Sequence, residues 1–263
     1  MEKPRLSRRK FLFEGALLVP GLMAFDAVAE PTWLDIRRHR IGEGKVQHRF
    51  VHFTDVHFRG DEGYLADVVA RINGLAPDFA LFTGDLIEKA QYAGPALEIL
   101  GGLKVPLYGV PGNHDHWSRA DFNLFRKTFA STGGAWLQDE NRVLAGGRIH
   151  LTAVDRLYSQ RRSAEAPFRI LMVHYPGWTN RIRALEGPAS YDLTLAGHTH
   201  GGQVRIPFHG AVVTPYDTGG YELGWYKTPA GPLYVNPGIG TLAVDVRFNC
   251  RPELGLFEIL GAG

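Results

Sequence analysis

Five short segments of the chain end in residue types that bind divalent metal ions. In chain order they supply these candidate ligands and neighbours: Asp55 and His57 in Thr-Asp-Val-His, Asp85 in Thr-Gly-Asp, Asn113 and His114 in Gly-Asn-His-Asp, His174 in Met-Val-His-Tyr, and His198 and His200 in Gly-His-Thr-His. Carboxylate, imidazole and amide groups together form a mixed nitrogen and oxygen set that suits divalent first-row metals. No thiolate belongs to the set, so a structural zinc knot is not favoured. The segments predict a site for metal-assisted chemistry.

These segments follow stretches that are typical of β-strands. Residues 50–54, 79–82 and 105–110 are apolar and short, and each is followed directly by one of the first three segments. Residues 168–173 and 191–196 precede the last two in the same way. In open α/β sheets ligands bind at the carboxyl ends of strands, so we expect the five segments to meet there.

Helical patterns separate the first strands, which predicts a mixed α/β fold. An apolar repeat at helical spacing ends before Pro77, and a weaker helix is predicted over 96–100. Ser118 and Asp121 resemble a capping box ahead of an apolar stripe that we interpret as core. From residue 135 onward the pattern is mostly β, with Gly146-Gly147 predicted as a hairpin turn.

Length and composition exclude several classes of protein. The chain has 263 residues, of which 44% are hydrophobic and 21% charged, and this is typical of one large globular domain. Its net charge of +2 is too small to indicate a nucleic-acid-binding surface. Because Cys250 is the single cysteine, it cannot form an internal disulfide and gives no information about the compartment.

The amino terminus predicts export. Ser7-Arg8-Arg9-Lys10-Phe11-Leu12 matches the twin-arginine pattern, an apolar stretch covers 16–25, and Ala27-Val28-Ala29 offers a cleavage site. We therefore expect residues 1–29 to be a signal for the twin-arginine export machinery and residues 30–263 to be the functional domain. The expected location is the periplasm or cell envelope, with a membrane tether if the signal is retained. The other interpretation is a basic, disordered tail.

The full set of five segments resembles the signature of the calcineurin-like metallophosphoesterases, over roughly residues 48–260. Gly197-His198-Thr199-His200-Gly201-Gly202-Gln203 is most similar to the small, exported phosphodiesterase branch. The resemblance implies a two-sheet β-sandwich flanked by helices, with the metals at the strand ends. It also implies a dinuclear-metal-dependent phosphoester hydrolase, preferring diesters, that uses a metal-bridging hydroxide as nucleophile.

The resemblance further implies a role for each site residue. The first metal would be held by Asp55, His57 and His200, the second by Asn113, His174 and His198, and Asp85 would bridge them. These ligands fit Mn, Fe or Zn equally. His114 would bind the phosphoryl oxygens or protonate the departing alkoxide. Glu88 stands three residues after Asp85, where an acid orients this histidine in the protein phosphatase branch. Because Glu is longer than Asp, the alternative is that Glu88 simply faces solvent.

Several alternatives remain open at the level of sequence. The substrate is expected to be a small-molecule or lipid phosphodiester; a phosphomonoester, or a pyrophosphate of a lipid-linked substrate, is the alternative. A further alternative is a non-catalytic metal-binding protein on the same fold. The presence of both Asp85 and His114 counts against this alternative. In exported relatives an Arg is expected where Pro237 stands, so one phosphate contact is predicted to be missing.

The surroundings of the predicted site also allow two interpretations each. Asp115 could orient an imidazole behind the ligands or cap a loop or helix, and His116 and Trp117 could line the pocket or pack in a loop. Six aromatic residues could form an apolar rim or ordinary packing: Tyr175, Trp178, Tyr216, Tyr221, Trp225 and Tyr226. Five other histidines are assigned no role in the site: His39, His48, His52, His150 and His209.

Overall fold

The computed structural model describes residues 29–156, 167–186 and 191–261. The predicted twin-arginine motif, the apolar stretch after it and Ala27-Val28 of the cleavage site lie outside these residues. The fourteen strands of the described residues are β1 (Asp35–Ile41), β2 (Lys45–Phe53), β3 (Phe79–Phe82), β4 (Leu107–Gly109), β5 (Ala135–Trp136), β6 (Glu140–Leu144), β7 (Ile149–Val154), β8 (Phe168–Val173), β9 (Leu193–Ala196), β10 (Arg205–Ile206), β11 (Gly210–Ala211), β12 (Gly224–Thr228), β13 (Gly231–Val235) and β14 (Glu253–Gly261).

Five α-helices and five short 3-10 segments complete the described elements. The α-helices are α1 (Glu62–Leu75), α2 (Ala93–Leu100), α3 (Asn113–Trp117), α4 (Phe122–Ser131) and α5 (Thr179–Glu186). The 3-10 segments are Glu30–Thr32, Ala90–Tyr92, Ala145–Gly147, Pro176–Trp178 and His200–Gly202. Within the described part of the chain, no helix has the length and apolar character needed to cross a bilayer.

Two six-stranded sheets form the centre of the molecule. The first has the order β1-β14-β2-β3-β4-β5, and its strands β2 to β5 are parallel. The second has the order β12-β13-β9-β8-β7-β6, and β7, β8, β9 and β13 are parallel. β10 and β11 pair separately as a small antiparallel hairpin. The expected α/β fold, a two-sheet sandwich flanked by helices, is confirmed.

The alternation of side chains along each strand builds three apolar layers. Phe50 of β2 packs between the sheets, in a cluster that includes Ile170 of β8. Phe53 faces the other way and packs with Leu65 of α1. A third cluster, on the outer face of the second sheet, includes Ile182 of α5. Helices therefore cover the outer faces of the sandwich and leave the strand ends open to the site.

Local capping sets the helix boundaries, and one predicted cap is wrong. α1 begins after Asp61, whose carboxylate accepts the N–H of Tyr64 at 3.1 Å, and ends at Ala76, which has a left-handed backbone. Asp121 itself caps α4 by accepting the N–H of Asn123 at 2.9 Å. Ser118 instead ends α3, because the chain turns between the two helices. The predicted hairpin at Gly146-Gly147 is confirmed, since β6 pairs with β7 across it.

Candidate metal centre

The predicted ligands meet where strands of both sheets end. Asp55, Asp85 and Asn113 follow β2, β3 and β4 of the first sheet. His174 and His198 follow β8 and β9 of the second. All seven predicted ligands are buried, although six are charged or ionisable: Asp55, His57, Asp85, Asn113, His174, His198 and His200. Burial of such groups is costly unless they are paired or hold a cation.

One set of donor atoms gathers around Asp55. Nε2 of His200 lies 3.5 Å from Oδ1 of Asp55, and Nε2 of His57 lies 3.8 Å from the same oxygen. The two imidazole nitrogens are 2.9 Å apart. Asp55, His57 and His200 therefore form one group that could hold a metal ion.

A second set gathers around His174. Its Nε2 lies 3.1 Å from Oδ1 of Asn113 and 3.2 Å from Nδ1 of His198. Oδ2 of Asp85 is 3.2 Å from the same nitrogen. The same Oδ2 lies 3.6 Å from Nε2 of His57 in the first set, so Asp85 stands between the two.

Hydrogen bonds behind the ligands fix which imidazole nitrogen faces the centre. Nδ1–H of His174 donates to the carbonyl of Thr83 at 2.8 Å, and Nε2–H of His198 donates to the carbonyl of Tyr216 at 2.8 Å. Because carbonyl oxygens only accept, the opposite nitrogens face the centre, and each carries a lone pair when its ring is neutral. Those lone pairs meet at 3.2 Å, where they repel one another unless a cation or proton lies between. The donor set thus fits a metal ion.

The electrostatics of the site also favour positive charge. Burial lowers the pKa of His57, but the carboxylates of Asp55 and Glu88 outweigh burial and raise the pKa to about 10. Burial likewise lowers the pKa of His174, while Asp85 raises it to about 9. Burial holds the pKa of His198 at about 4, so this imidazole is neutral. The carboxylates that raise these two pKa values would stabilise a divalent cation in the same way.

Most of the predicted ligands have an unusual backbone conformation. Positive φ angles, which non-glycine residues rarely adopt, occur at five of them: Asp55 (51°), His57 (45°), Asp85 (60°), His198 (71°) and His200 (51°). Such strain persists only where surrounding contacts enforce it, and it gathers at functional sites. The N–H of Asp55 donates to Gly84 at 2.9 Å, and that of His57 donates to Asp85 at 3.0 Å, so neighbouring loops hold these turns.

Glycines allow the ligand loops to approach one another closely. A Cβ at Gly112 would lie 2.1 Å from Oδ1 of Asp85, and one at Gly197 would lie 2.2 Å from Oδ2 of Asp55. Both distances are far below van der Waals contact. A side chain at either position would therefore displace a carboxylate of the site.

Asp115 holds the loop that carries Asp85. Its buried carboxylate accepts the N–H groups of Asp85 and Leu86 at 2.8 Å and that of Gly112 at 2.9 Å. Burial raises the pKa of Asp115 to about 6, although these N–H groups oppose the rise. Of the two interpretations of Asp115, the structure therefore agrees with a carboxylate that caps a loop.

Glu88 contacts two histidines at the edge of the centre. Nδ1–H of His114 donates to Oε2 of Glu88 at 3.2 Å, and Nδ1–H of His57 donates to Oε1. The N–H of His114 also donates to Oδ1 of Asp85 at 2.7 Å. The structure therefore brings Glu88 and His114 together with the predicted ligands, and Glu88 does not simply face solvent.

The family model described as calcineurin-like phosphoesterase matches residues 48–202, which is more than half of the chain. The chain belongs to this family. It is thus a metal-dependent phosphoester hydrolase.

The chain is similar to named relatives over nearly its whole length. It is 29% identical to the Bacillus subtilis metallophosphoesterase YkuE, over 97% of this chain and 98% of that protein. It is 26% identical to the Escherichia coli phosphodiesterase YaeI, over 97% and 100%. A solved dimetal phosphatase from Danio rerio is 11% identical and covers 74% of this chain and 88% of that chain, with a TM-score of 0.49.

A groove beside the centre of this calcineurin-like phosphoesterase has aromatic walls. It has a volume of about 460 Å³, and its lining includes His116, Trp117, His174, Tyr175 and Trp178. His116 and Trp117 therefore line a pocket. The six aromatic residues predicted as a rim or as packing fall into two groups. Tyr175 and Tyr216 contact the ring of His198, and Trp178 packs on Tyr175, whereas Tyr221 packs on Tyr226 and Trp225 packs on Tyr234.

Arg247 is a site-supporting residue that sequence reasoning missed. Its guanidinium is fully buried and donates to the carbonyls of Pro237 at 2.8 Å, Cys250 at 3.0 Å and Gly240 at 3.2 Å. The loop it holds passes behind Asp55, whose carbonyl accepts the N–H of Gly240 at 2.8 Å. A single Arg within Arg-Phe-Asn-Cys has no pattern that would signal this role. Pro237 itself is buried in that loop.

The histidines without a predicted role lie outside the candidate ligand groups of the described residues. His52 is buried and bonds through Nε2 to Oγ1 of Thr83 at 2.9 Å, which agrees with its structural interpretation. His209 is exposed.

Cys250 is buried, as expected of a small apolar residue, and its thiol donates to the carbonyl of His200 at 3.2 Å.

Proposed function

We propose that this protein hydrolyses phosphodiesters with a pair of divalent cations. Asp55, His57 and His200 would hold one cation, Asn113, His174 and His198 would hold the other, and Asp85 would contact both. The position of Asp85 is the observation that carries the proposal. Its Oδ2 lies 3.6 Å from His57 in one set and 3.2 Å from His174 in the other, so a single carboxylate oxygen is within reach of both sets.

When bound, the cations would activate water as a nucleophile at neutral pH and neutralise charge on the phosphoryl oxygens. The chain's own contribution would be made by His114. Because Glu88 accepts from Nδ1 of His114, Nε2 is the nitrogen available to the substrate. From there His114 would contact a phosphoryl oxygen or give a proton to the leaving alkoxide. Glu88 would hold the ring in that orientation and would position His57 at the same time.

A diester is favoured over a monoester by two observations. One full-length relative, YaeI, is described as a phosphodiesterase. In addition, the groove of about 460 Å³ beside Asn113 and His174 is walled by Trp117 and Trp178, and it offers a surface for the second ester substituent. A phosphomonoester has only the substituent that leaves, and no second one to place there.

We further propose that the protein acts outside the cytoplasm. The support is the sequence motif Ser7-Arg8-Arg9-Lys10-Phe11-Leu12 with the apolar stretch that follows it. A fusion of the leader to a folded reporter would be exported through the twin-arginine pathway. Replacement of Arg8 and Arg9 by Lys should keep the reporter in the cytoplasm, and unchanged export would contradict the assignment.

The function is tested with the full chain, its metal content measured after loading with Mn²⁺ or Zn²⁺. We expect about two metal ions per chain and faster turnover of bis(p-nitrophenyl) phosphate than of p-nitrophenyl phosphate. Asp85→Asn should weaken metal binding and reduce turnover together, since it alters the ligand shared by both sets. A chain that binds metal yet turns over neither compound would refute the enzymatic proposal, and faster monoester turnover would refute the diester preference.

A further inference from the structure

An exposed apolar surface lies next to the metal centre. Four of its residues belong to the β10–β11 hairpin and its continuation: Ile206 is 50% exposed, Val212 54%, Val213 73% and Phe208 fully exposed. Val244, on a neighbouring loop, is 57% exposed. We call these five residues the hairpin surface. Single exposed apolar residues are common on soluble proteins, whereas several on neighbouring segments indicate a site of interaction.

Hydrogen bonds join the two parts of the hairpin surface. The side-chain amide of Gln203, just before the hairpin, donates to the carbonyls of Leu242 at 3.1 Å and Val244 at 3.4 Å. The N–H of Arg205 in β10 donates to Phe248 at 2.9 Å. The hairpin and the 242–248 loop are therefore held together by hydrogen bonds.

Phe208 has an unfavourable backbone conformation. It lies in the three-residue connection between Ile206 and Gly210, and its φ is 65°. Gly, Asn and Asp adopt this left-handed conformation readily, whereas it is strained for a bulky residue. Because the ring is fully exposed, no burial within the chain offsets the strain. Any stabilising contact of the Phe208 ring must therefore be made outside the described residues.

An apolar groove runs beside Val212, Val213 and Val244 of the hairpin surface and reaches His200. It has a volume of about 450 Å³, and its lining includes His200, Val204, Val212, Val213 and Val244. Gly202 allows the hairpin to pack closely on the loop that carries His200, because a Cβ at Gly202 would lie 2.4 Å from Cβ of Ala211. A molecule held at the hairpin surface would thus extend toward a predicted metal ligand.

The chemistry of the hairpin surface favours a lipid bilayer over a protein. Residues 201–216 contain no acidic residue, and their only Lys or Arg is Arg205, which pairs with Glu222 at 3.1 Å. A stable protein interface needs about 20–30 residues from each partner, and a few apolar side chains at a hairpin cannot supply that. Protruding apolar side chains do suffice for insertion between lipids, because each gains free energy on leaving water.

The start of the described chain lies beside the same loop. The carboxylate of Glu30 accepts the N–H groups of Asn249 at 2.8 Å and Cys250 at 2.5 Å. These residues follow Phe248, which holds β10. The apolar stretch 16–25 therefore joins the described domain next to the segment that anchors the hairpin. A leader retained in a bilayer would bring the hairpin surface close to that bilayer.

We propose that the hairpin surface inserts into a lipid bilayer and presents the metal centre to phosphodiesters of lipid headgroups. The choice of substrate rests on the proposed function, whereas insertion does not. Phe208 and Ile206 enter the acyl region, and the groove that leads to His200 receives the apolar part of a lipid whose phosphodiester reaches the centre.

The test compares three full-length proteins: the natural chain, Ile206→Thr/Phe208→Asn, and Val143→Thr. Val143 is 63% exposed on the edge strand β6 and serves as a matched control. Each protein is sedimented with vesicles of equal parts phosphatidylcholine and phosphatidylglycerol. We expect the double substitution to reduce vesicle binding by about tenfold or more and Val143→Thr to leave it unchanged. The leader is the same in all three, so the difference isolates the hairpin.

Two further measurements separate this inference from the proposed function. Turnover of soluble bis(p-nitrophenyl) phosphate should be equal in all three proteins, whereas hydrolysis of vesicle phospholipid should fall with the double substitution. Equal sedimentation of the three proteins would overturn the inference. So would a natural chain that dimerises without binding vesicles and becomes monomeric on double substitution, because the occupant would then be a second copy. Hairpin-dependent binding without any turnover would uphold insertion and refute the proposed function.

Discussion

Glu88 shares its carboxylate between His57, a predicted metal ligand, and His114, the predicted proton donor. Each carboxylate oxygen accepts from one Nδ1–H, so one side chain fixes the orientation of both rings and leaves Nε2 of each directed away from Glu88. The histidines hold the pKa of Glu88 well below its usual range, although burial opposes them. Glu88 therefore stays ionised, and its charge stabilises both tautomers together.

His114 should affect turnover far more than metal binding. We expect His114→Ala to retain the metal content of the natural protein while kcat falls by about 10²- to 10⁴-fold, the usual contribution of a proton-transfer group. Metal content and kcat on a diester would be measured on the same preparation. His48→Ala, in β2, serves as a control for the loss of an imidazole. Loss of metal in His114→Ala would show that this residue is a ligand instead.

At the scale of elements, the ligands depend on loops that pack against one another without intervening side chains. The loop after β3 carries Asp85 and the loop after β4 carries Gly112, and Asp115 binds the N–H groups of both. A Cβ on Gly112 would lie 2.5 Å from the backbone nitrogen of Asp85. The distance between these two strand ends therefore determines the position of the shared carboxylate.

Gly112→Ala is expected to weaken metal binding by about 10- to 100-fold, the range seen when groups behind metal ligands are disturbed. The matched control is Gly74→Ala in α1, where a Cβ meets nothing within 4 Å. That substitution should raise the free energy of unfolding by about 0.5–1 kcal/mol. Calorimetric metal titration and urea unfolding would measure the two effects. Equal metal affinity in both variants would contradict this account of the loops.

The segments that carry the candidate ligands could be located from sequence because they follow buried strands whose residues are nearly all apolar, such as Phe79–Phe82. Strand β1 could not be predicted in this way. Its sequence, Asp-Ile-Arg-Arg-His-Arg-Ile, is mostly charged, and only His39 is buried. Its edge position explains this composition, because an edge strand keeps one flank in water. Arg247 escaped prediction for a different reason: its partners are carbonyl groups, which every residue has.

At the scale of the whole molecule, His39 connects the edge of the first sheet with the second. Its ring packs at a tilt against those of Tyr234 in β13 and Phe257 in β14, with centroids 4.4 and 4.6 Å away, and Nε1–H of Trp225 donates to its Nδ1 at 3.3 Å. Burial, assisted by the charge of Arg37, lowers the pKa of His39 to about 4. The imidazole is therefore neutral in the folded protein at neutral pH.

This buried histidine should make the fold sensitive to acid. Below pH of about 6.5 the unfolded chain takes up a proton at His39 that the folded chain does not, so stability is lost as the pH falls from about 6.5 to about 4. Between about pH 7 and about pH 5 the loss is about 2 kcal/mol. Urea unfolding of metal-free protein should show that His39→Gln removes this part of the pH dependence, whereas His209→Gln, at an exposed position, does not. An unchanged pH dependence in His39→Gln would place the acid sensitivity elsewhere.

The order of strands in the first sheet has a consequence for biosynthesis. β14 lies between β1 and β2, so the first two strands of the domain have no shared partner until the last ones are made. A chain still on the ribosome before Glu253 leaves the edge of β2 unpaired, and Glu30, Asn249 and Cys250 cannot yet join. The first sheet therefore cannot close until β14 has been made, and a chain that lacks β14 would have an open sheet.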